Sequence, residues 1–142
     1  KQNKMGRVFF NTRKNIVDLT AATTILPGDS GNVFMINQGA AFAITLPTPA
    51  LAQRGWNAEF IVGTAAANAQ TITCPGTDLF HGIGVDGEDG AAQTVTEGTG
   101  IDVITIAAVA VKADRVSITC DGVNYYFVSF AADKAHITIA AE

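Results

Sequence analysis

Between residues 16 and 140 this chain is interrupted every ~8–12 residues by Gly, Pro, Asn or Asp, and between the breaks apolar side chains tend to alternate with polar ones. That pattern leaves little room for anything but short β-strands. The clearest instance is VSITCDGVNYYFVSF, residues 116–130. Val116, Ile118 and Cys120 alternate with Ser117 and Thr119, and Asp121-Gly122-Val123-Asn124 has the chemistry of a tight reversal. The returning segment, Tyr125 to Phe130, is apolar on both alternating faces. A strand of that kind needs cover on both sides. The rest of the chain is expected to supply one layer, and neighbouring copies or a partner surface the other.

Further strands are expected over residues 16–20, 32–36, 42–46, 56–62, 70–74, 79–83, 101–106, 109–112 and 135–140. Phe42, Ile44 and Leu46 should face inward, as should Trp56, Ala58, Phe60 and Val62, and later Ile137 and Ile139, with His136 and Thr138 outward. Pro47 and Pro49 should end the strand before them, because proline gives no ladder donor. Residues 51–54 are expected as the single helical turn. Residues 84–100 hold five of the fourteen glycines and are expected as a long mobile or functional loop. About ten strands without βαβ alternation predict an all-β fold, a jelly-roll-like sandwich or barrel of short antiparallel strands, and exclude dinucleotide-type folds.

Charge qualifies this picture. Charged residues are 15% of the chain, against ~25% in typical domains, while 48% are hydrophobic. So few ionic groups point to surface covered in an assembly. The net charge is −4, but Lys1, Lys4, Arg7, Arg13 and Lys14 hold five of the nine basic residues, and no acid precedes Asp18. Residues 1–14 therefore read as a basic arm with an apolar island, Val8-Phe9-Phe10, and residues 15–142 as the β-sandwich domain. The arm is either a first strand with solvated flanks or a segment that docks its phenylalanines in a partner's groove and sets its cations on acidic surface. Five charges are a small basic field, so no nucleic-acid partner is expected. No apolar run has the ~18 residues of a membrane span, and no membrane partner is expected.

The chemical inventory is sparse. His81 and His136 are the two histidines, and neither a G-x-S-x-G elbow, an H-E-x-x-H pair nor a phosphate-binding G-x-x-x-x-G-K-[ST] loop occurs. Cys74 and Cys120 fall on apolar strand positions and read as buried thiols, their pairing left open by the sequence. VDGEDG, residues 85–90, offers Asp86, Glu88 and Asp89 as oxygen ligands, but without calcium-loop spacing it reads as a solvated acidic loop. The expectation is a protein that is not an enzyme, with no cofactor and no metal.

Two stretches carry a family resemblance. LTAATTILPGDSGNVFMINQGAAFAITLP (residues 19–47) has an Asp-Ser-Gly turn, a strand, a Gly turn and an apolar strand ending in Leu-Pro. RVSITCDGVNYYF (residues 115–127) has a strand ending Cys-Asp-Gly before an aromatic pair. Together they are similar to small tailed-phage virion proteins: head decoration (cement) proteins, of an architecture other than the short lambda-type ones, and β-rich domains of trimeric tail fibres. The resemblance implies a homotrimer on the outer surface of the capsid, near local threefold axes of the virion, binding the phage major capsid protein and stabilising the head. The alternative it implies is a tail-fibre or receptor-binding domain for host glycan, with Trp56, Tyr125 and Tyr126 as stacking candidates. In the decoration reading the capsid-binding arm is formed by Lys4, Arg7, Val8, Phe9, Phe10, Arg13 and Lys14.

Overall fold

The computed structural model describes residues 14–37, 39–77, 79–87 and 95–140. In chain order the elements are β1 (Ile16–Leu19), β2 (Thr23–Thr24), a 3-10 turn (Pro27–Asp29), β3 (Val33–Ile36), β4 (Phe42–Thr45), the one-turn helix α1 (Pro49–Ala52), β5 (Asn57–Val62), β6 (Gln70–Thr73), β7 (Phe80–Asp86), β8 (Val95–Ile101), β9 (Val103–Ile106), β10 (Arg115–Cys120), β11 (Tyr125–Ala131) and β12 (Ile137–Ala140). They form a seven-stranded sheet, β1-β3-β5-β10-β11-β7-β8, and a five-stranded one, β12-β9-β6-β4-β2. One core joins them: Phe34, Phe60, Phe80 and Phe127 from the large sheet meet Ile44, Ile72, Ile104 and Ile106 from the small one.

The all-β sandwich matches the sequence expectation, but the strand sense does not. Of the ten pairings among the described residues, five are parallel. The first six strands alternate between the sheets, so β1, β3 and β5 stack in parallel on one side and β2, β4 and β6 on the other. This half winds as a flattened coil rather than a jelly roll. Later strands then cap both stacks antiparallel, β10 on β5 and β9 on β6. Each connection among the first six strands crosses to the opposite sheet, which hairpin-type punctuation in the sequence does not reveal.

Alternation places the core as expected. Ile44, Leu46, Trp56, Ala58, Phe60 and Val62 are buried. Phe34 and Phe60 are register partners and stack with centroids 5.1 Å apart, and Phe80 stacks on its partner Tyr125 at 5.6 Å. Gly82 lies where β7 runs beside β11: a Cβ there would overlap the Phe127 carbonyl oxygen. The 121–124 turn closes as expected. Asp121 Oδ1 accepts the N–H groups of Val123 (2.8 Å) and Asn124 (2.7 Å), and Gly122 takes φ +93°.

Three expectations are corrected. The helical turn sits two residues earlier, because Pro49 supplies a ready-made first helical position. Residues 109–112 form a turn, not a strand. The Asp114 carboxylate captures the Val111 N–H at 2.8 Å, a donor that a ladder would need. Residues 84–100 are not one long loop: β7 extends to Asp86 and pairs antiparallel with β8, whose Thr96, Glu97, Gly98 and Thr99 face Gly84, Ile83, Gly82 and His81.

Candidate interaction surface

β11 lies inside the large sheet, between β10 and β7, and its two faces differ. Tyr125, Phe127 and Ser129 point inward and are buried. Tyr126, Val128 and Phe130 point outward, with Tyr126 48% and Phe130 50% exposed. Parallel pairing sets His81, Ile83 and Val85 of β7 beside them, and Ile83 is 40% exposed. The result is an apolar strip two strands wide on the outer face. Ile83, Tyr126 and Phe130 keep 40–50% of their surface exposed on it.

The strip has polar flanks. On one side β10 contributes Arg115, Ser117 and Thr119, and β5 contributes Asn57 and Glu59. Glu59 pairs with Lys14 (3.1 Å) and Arg115 (3.6 Å). On the other side β8 presents exposed Glu97 and Thr99. His81 Nδ1 accepts the Gly100 N–H at 3.2 Å, and the ring lies 6.1 Å from that of Tyr126. Tyr126 in turn donates its hydroxyl to Asp121 Oδ2 at 3.1 Å. Backbone N–H groups of Asn124 and Val123, and then this hydroxyl, hold the Asp121 carboxyl below its ordinary range.

Of the expected arm residues, Lys14 is described and meets Glu59; Lys4, Arg7, Val8, Phe9, Phe10 and Arg13 lie outside the described residues. Trp56 and Tyr125 are core residues, 2% and 0% exposed, so of the three aromatic glycan candidates Tyr126 alone is at the surface. Cys74 and Cys120 are buried and unpaired with each other. Their sulfurs face the carbonyls of Pro47 (3.4 Å) and Pro49 (3.7 Å), and the Tyr125 hydroxyl donates to Pro47 at 2.7 Å. Burial, and next the neighbouring Cys120, push the Cys74 thiol up to about 11.

Two polar residues differ from the sequence reading. His136 is not turned to solvent: its Nδ1 lies 2.8 Å from Asp114 Oδ2, half-buried between the 107–114 turn and β12. Asp114 also binds the Val111 and Ala132 N–H groups, so the pair knots three segments together and both carboxylate oxygens are engaged. Asp86 is not a solvated loop residue; it is buried at the end of β7, while Glu88 and Asp89 lie outside the described residues. Among the described residues no three His, Cys, Asp or Glu side chains gather as a metal site.

The strip was half visible in the sequence, as the two-faced apolar run 125–130. Ile83 and His81 were not, because the parallel β7–β11 pairing that brings them alongside spans more than forty residues. Comparison with protein-family models, with curated proteins and with solved structures gave no match.

Proposed function

We propose that this chain is a structural virion protein, a capsid decoration protein that binds the outside of a tailed-phage head as a homotrimer and stabilises it. The observation that supports an assembly role is the apolar strip of Tyr126, Phe130 and Ile83, which a protein this poor in charge leaves open on its widest sheet. Contact with a shell through this strip and the basic arm needs no catalytic group. Three weak footprints on neighbouring capsid subunits act together through effective concentration, so each remains modest while the trimer stays attached.

The decisive experiment is electron microscopy of the particle that carries the protein, with light scattering of the purified protein. Decoration requires many copies over the head and three chain masses in solution. The double variant Tyr126→Ser/Phe130→Ser should remain folded and leave heads uncoated. Full occupancy by that variant would exclude the strip from the contact.

A second reading, a tail-fibre domain that recognises host glycan, draws on one observation. Tyr126 is an exposed ring beside His81, Thr99 and Glu97, an aromatic platform with polar neighbours of the sort that sugars use. A handful of copies at the tail, with glycan-array binding lost in Tyr126→Ser, would favour it.

A further inference from the structure

The large sheet stops filling the core towards one end. Along β7 the inward positions are Phe80, Gly82, Gly84 and Asp86, and along β11 they are Tyr125, Phe127, Ser129 and Ala131. Parallel register sets Phe80 beside Tyr125 and Gly84 beside Ser129, so both strands pass from large side chains to small ones in the same direction. At Gly82 and Gly98 a neighbour takes the missing side chain's place: a Cβ would meet Phe127 at either position, and Ile139 as well at Gly98. Past Gly84 the packing gives way to a partly open cavity of about 270 Å³, with β7 and β11 on one side and β12 on the other. Ala131, Ile137 and Ile139 are its apolar walls, Ser129 and Asp86 its buried polar ones, and exposed Lys134 stands at its rim. Ser129 is only 2% exposed, yet its hydroxyl has no hydrogen-bond partner among the described residues. A methyl group on Gly84 would stand 3.0 Å from Ser129 Oγ, so the hydroxyl lies over the bare glycine backbone that lines the cavity. Burying a hydroxyl that meets no partner is costly, and a ligand that supplied one would recover that cost.

We propose that this cavity binds a small neutral alcohol, its apolar body packed on Ile137 and Ile139 and its hydroxyl on Ser129 Oγ. Volume, hydrogen bonding and charge agree on that class. The space exceeds the ~150 Å³ that holds benzene in an engineered apolar cavity and falls short of the ~300 Å³ at which sites for drug-sized ligands begin. A ring the size of cyclohexanol lies between those bounds. The serine oxygen donates one hydrogen bond and accepts two, so an alcohol can meet it in either direction. Asp86 and Lys134 carry opposite signs, so a cation or an anion would each meet a like charge at the cavity, whereas a neutral ligand meets none.

The test titrates the full chain with cyclohexanol and follows the backbone amides by proton–nitrogen correlation NMR. The amides of Gly84, Ser129 and Ile139 should shift and saturate in the millimolar range, while those of β1 and β3 stay in place. Cyclohexylamine, charged at neutral pH, and cyclohexanecarboxylate should each bind severalfold more weakly. Ser129→Ala should weaken cyclohexanol about two- to tenfold, the effect of one hydrogen bond. The same variant should keep or raise the Tm of the free protein, because the hydroxyl it removes meets no partner there. A lowered Tm would show that the Ser129 hydroxyl holds the fold instead, and would overturn the proposal. So would an affinity unchanged by Ser129→Ala, equal binding of the charged analogues, or shifts that never saturate or centre on Tyr126 and Phe130 of the outer face. Capsid attachment enters none of these measurements, so a failure of the decoration reading would leave the result standing.

Discussion

The Tyr125 hydroxyl donates a 2.7 Å hydrogen bond to the Pro47 carbonyl, tying an interior strand of the large sheet, β11, to the segment that leaves the small sheet. The two residues are 78 apart in sequence, and Tyr125 is wholly buried. Pro47 ends β4 because it has no N–H to give; its carbonyl then needs a donor, and Tyr125 and the Cys74 thiol provide it. Tyr125→Phe should therefore cost about 1–3 kcal/mol, the range for removing one partner of a buried hydrogen bond. Tyr126→Phe, which loses an exposed bond to Asp121, should stay within about 0.5 kcal/mol. Urea midpoints at constant m-value check both.

Stability should fall at alkaline pH. Cys74 is raised from 9.0 to about 11 by burial first and Cys120 second. Below pH 9 folded and unfolded chains both hold the proton. Between 9 and 11 the unfolded thiol releases it while the folded one keeps it, so the unfolded state binds fewer protons and stability declines as pH rises. The full effect is about 2–3 kcal/mol by pH 11. Tyr125 and Cys120, both raised chiefly by burial, act in the same direction. Urea unfolding from pH 8 to pH 11 measures the slope, which Cys74→Ala should flatten. An unchanged slope in that variant would remove Cys74 from the account.

Gly82→Ala should be among the most damaging small substitutions. The added methyl meets the Phe127 carbonyl oxygen, a backbone atom that cannot swing aside, so β7 and β11 must separate. Overpacking typically costs about 1–3 kcal/mol, and this position belongs at or above the upper end. Thermal denaturation should show a lowered Tm, and amide exchange should rise along both strands.

Ile118 and Thr119 are adjacent on β10 but face opposite ways, Ile118 1% exposed and Thr119 at the surface. Ile118→Asp should leave an unpaired charge in the core, a loss of several kcal/mol and of native circular dichroism. Thr119→Asp should fold normally. Native-like spectra from both variants would mean that β10 presents the other face to the core.

Much of the fold was legible because side-chain alternation is local. The period of two along residues 42–46, 56–62 and 116–120 named the inward-facing residues, all buried except Phe42, which packs partly buried against the core, since a strand's two faces are set by neighbouring peptide geometry alone. Gly122 and Pro47 likewise marked their turns by intrinsic backbone chemistry. His136 misled because its position on the alternating pattern says nothing of Asp114, a hydrogen-bond partner 22 residues away.

The sequence by itself determined that the chain is an all-β protein of short strands, with a charge-poor body and its cations gathered at one end. Tertiary structure alone decided that the first six strands wind in parallel and that β7 returns beside β11, setting Ile83 and His81 against Val128 and Tyr126. The reason is physical. Alternation records which face of a strand is buried, whereas the choice of neighbour depends on which distant edge is left with unpaired N–H and C=O groups once the earlier strands have stacked.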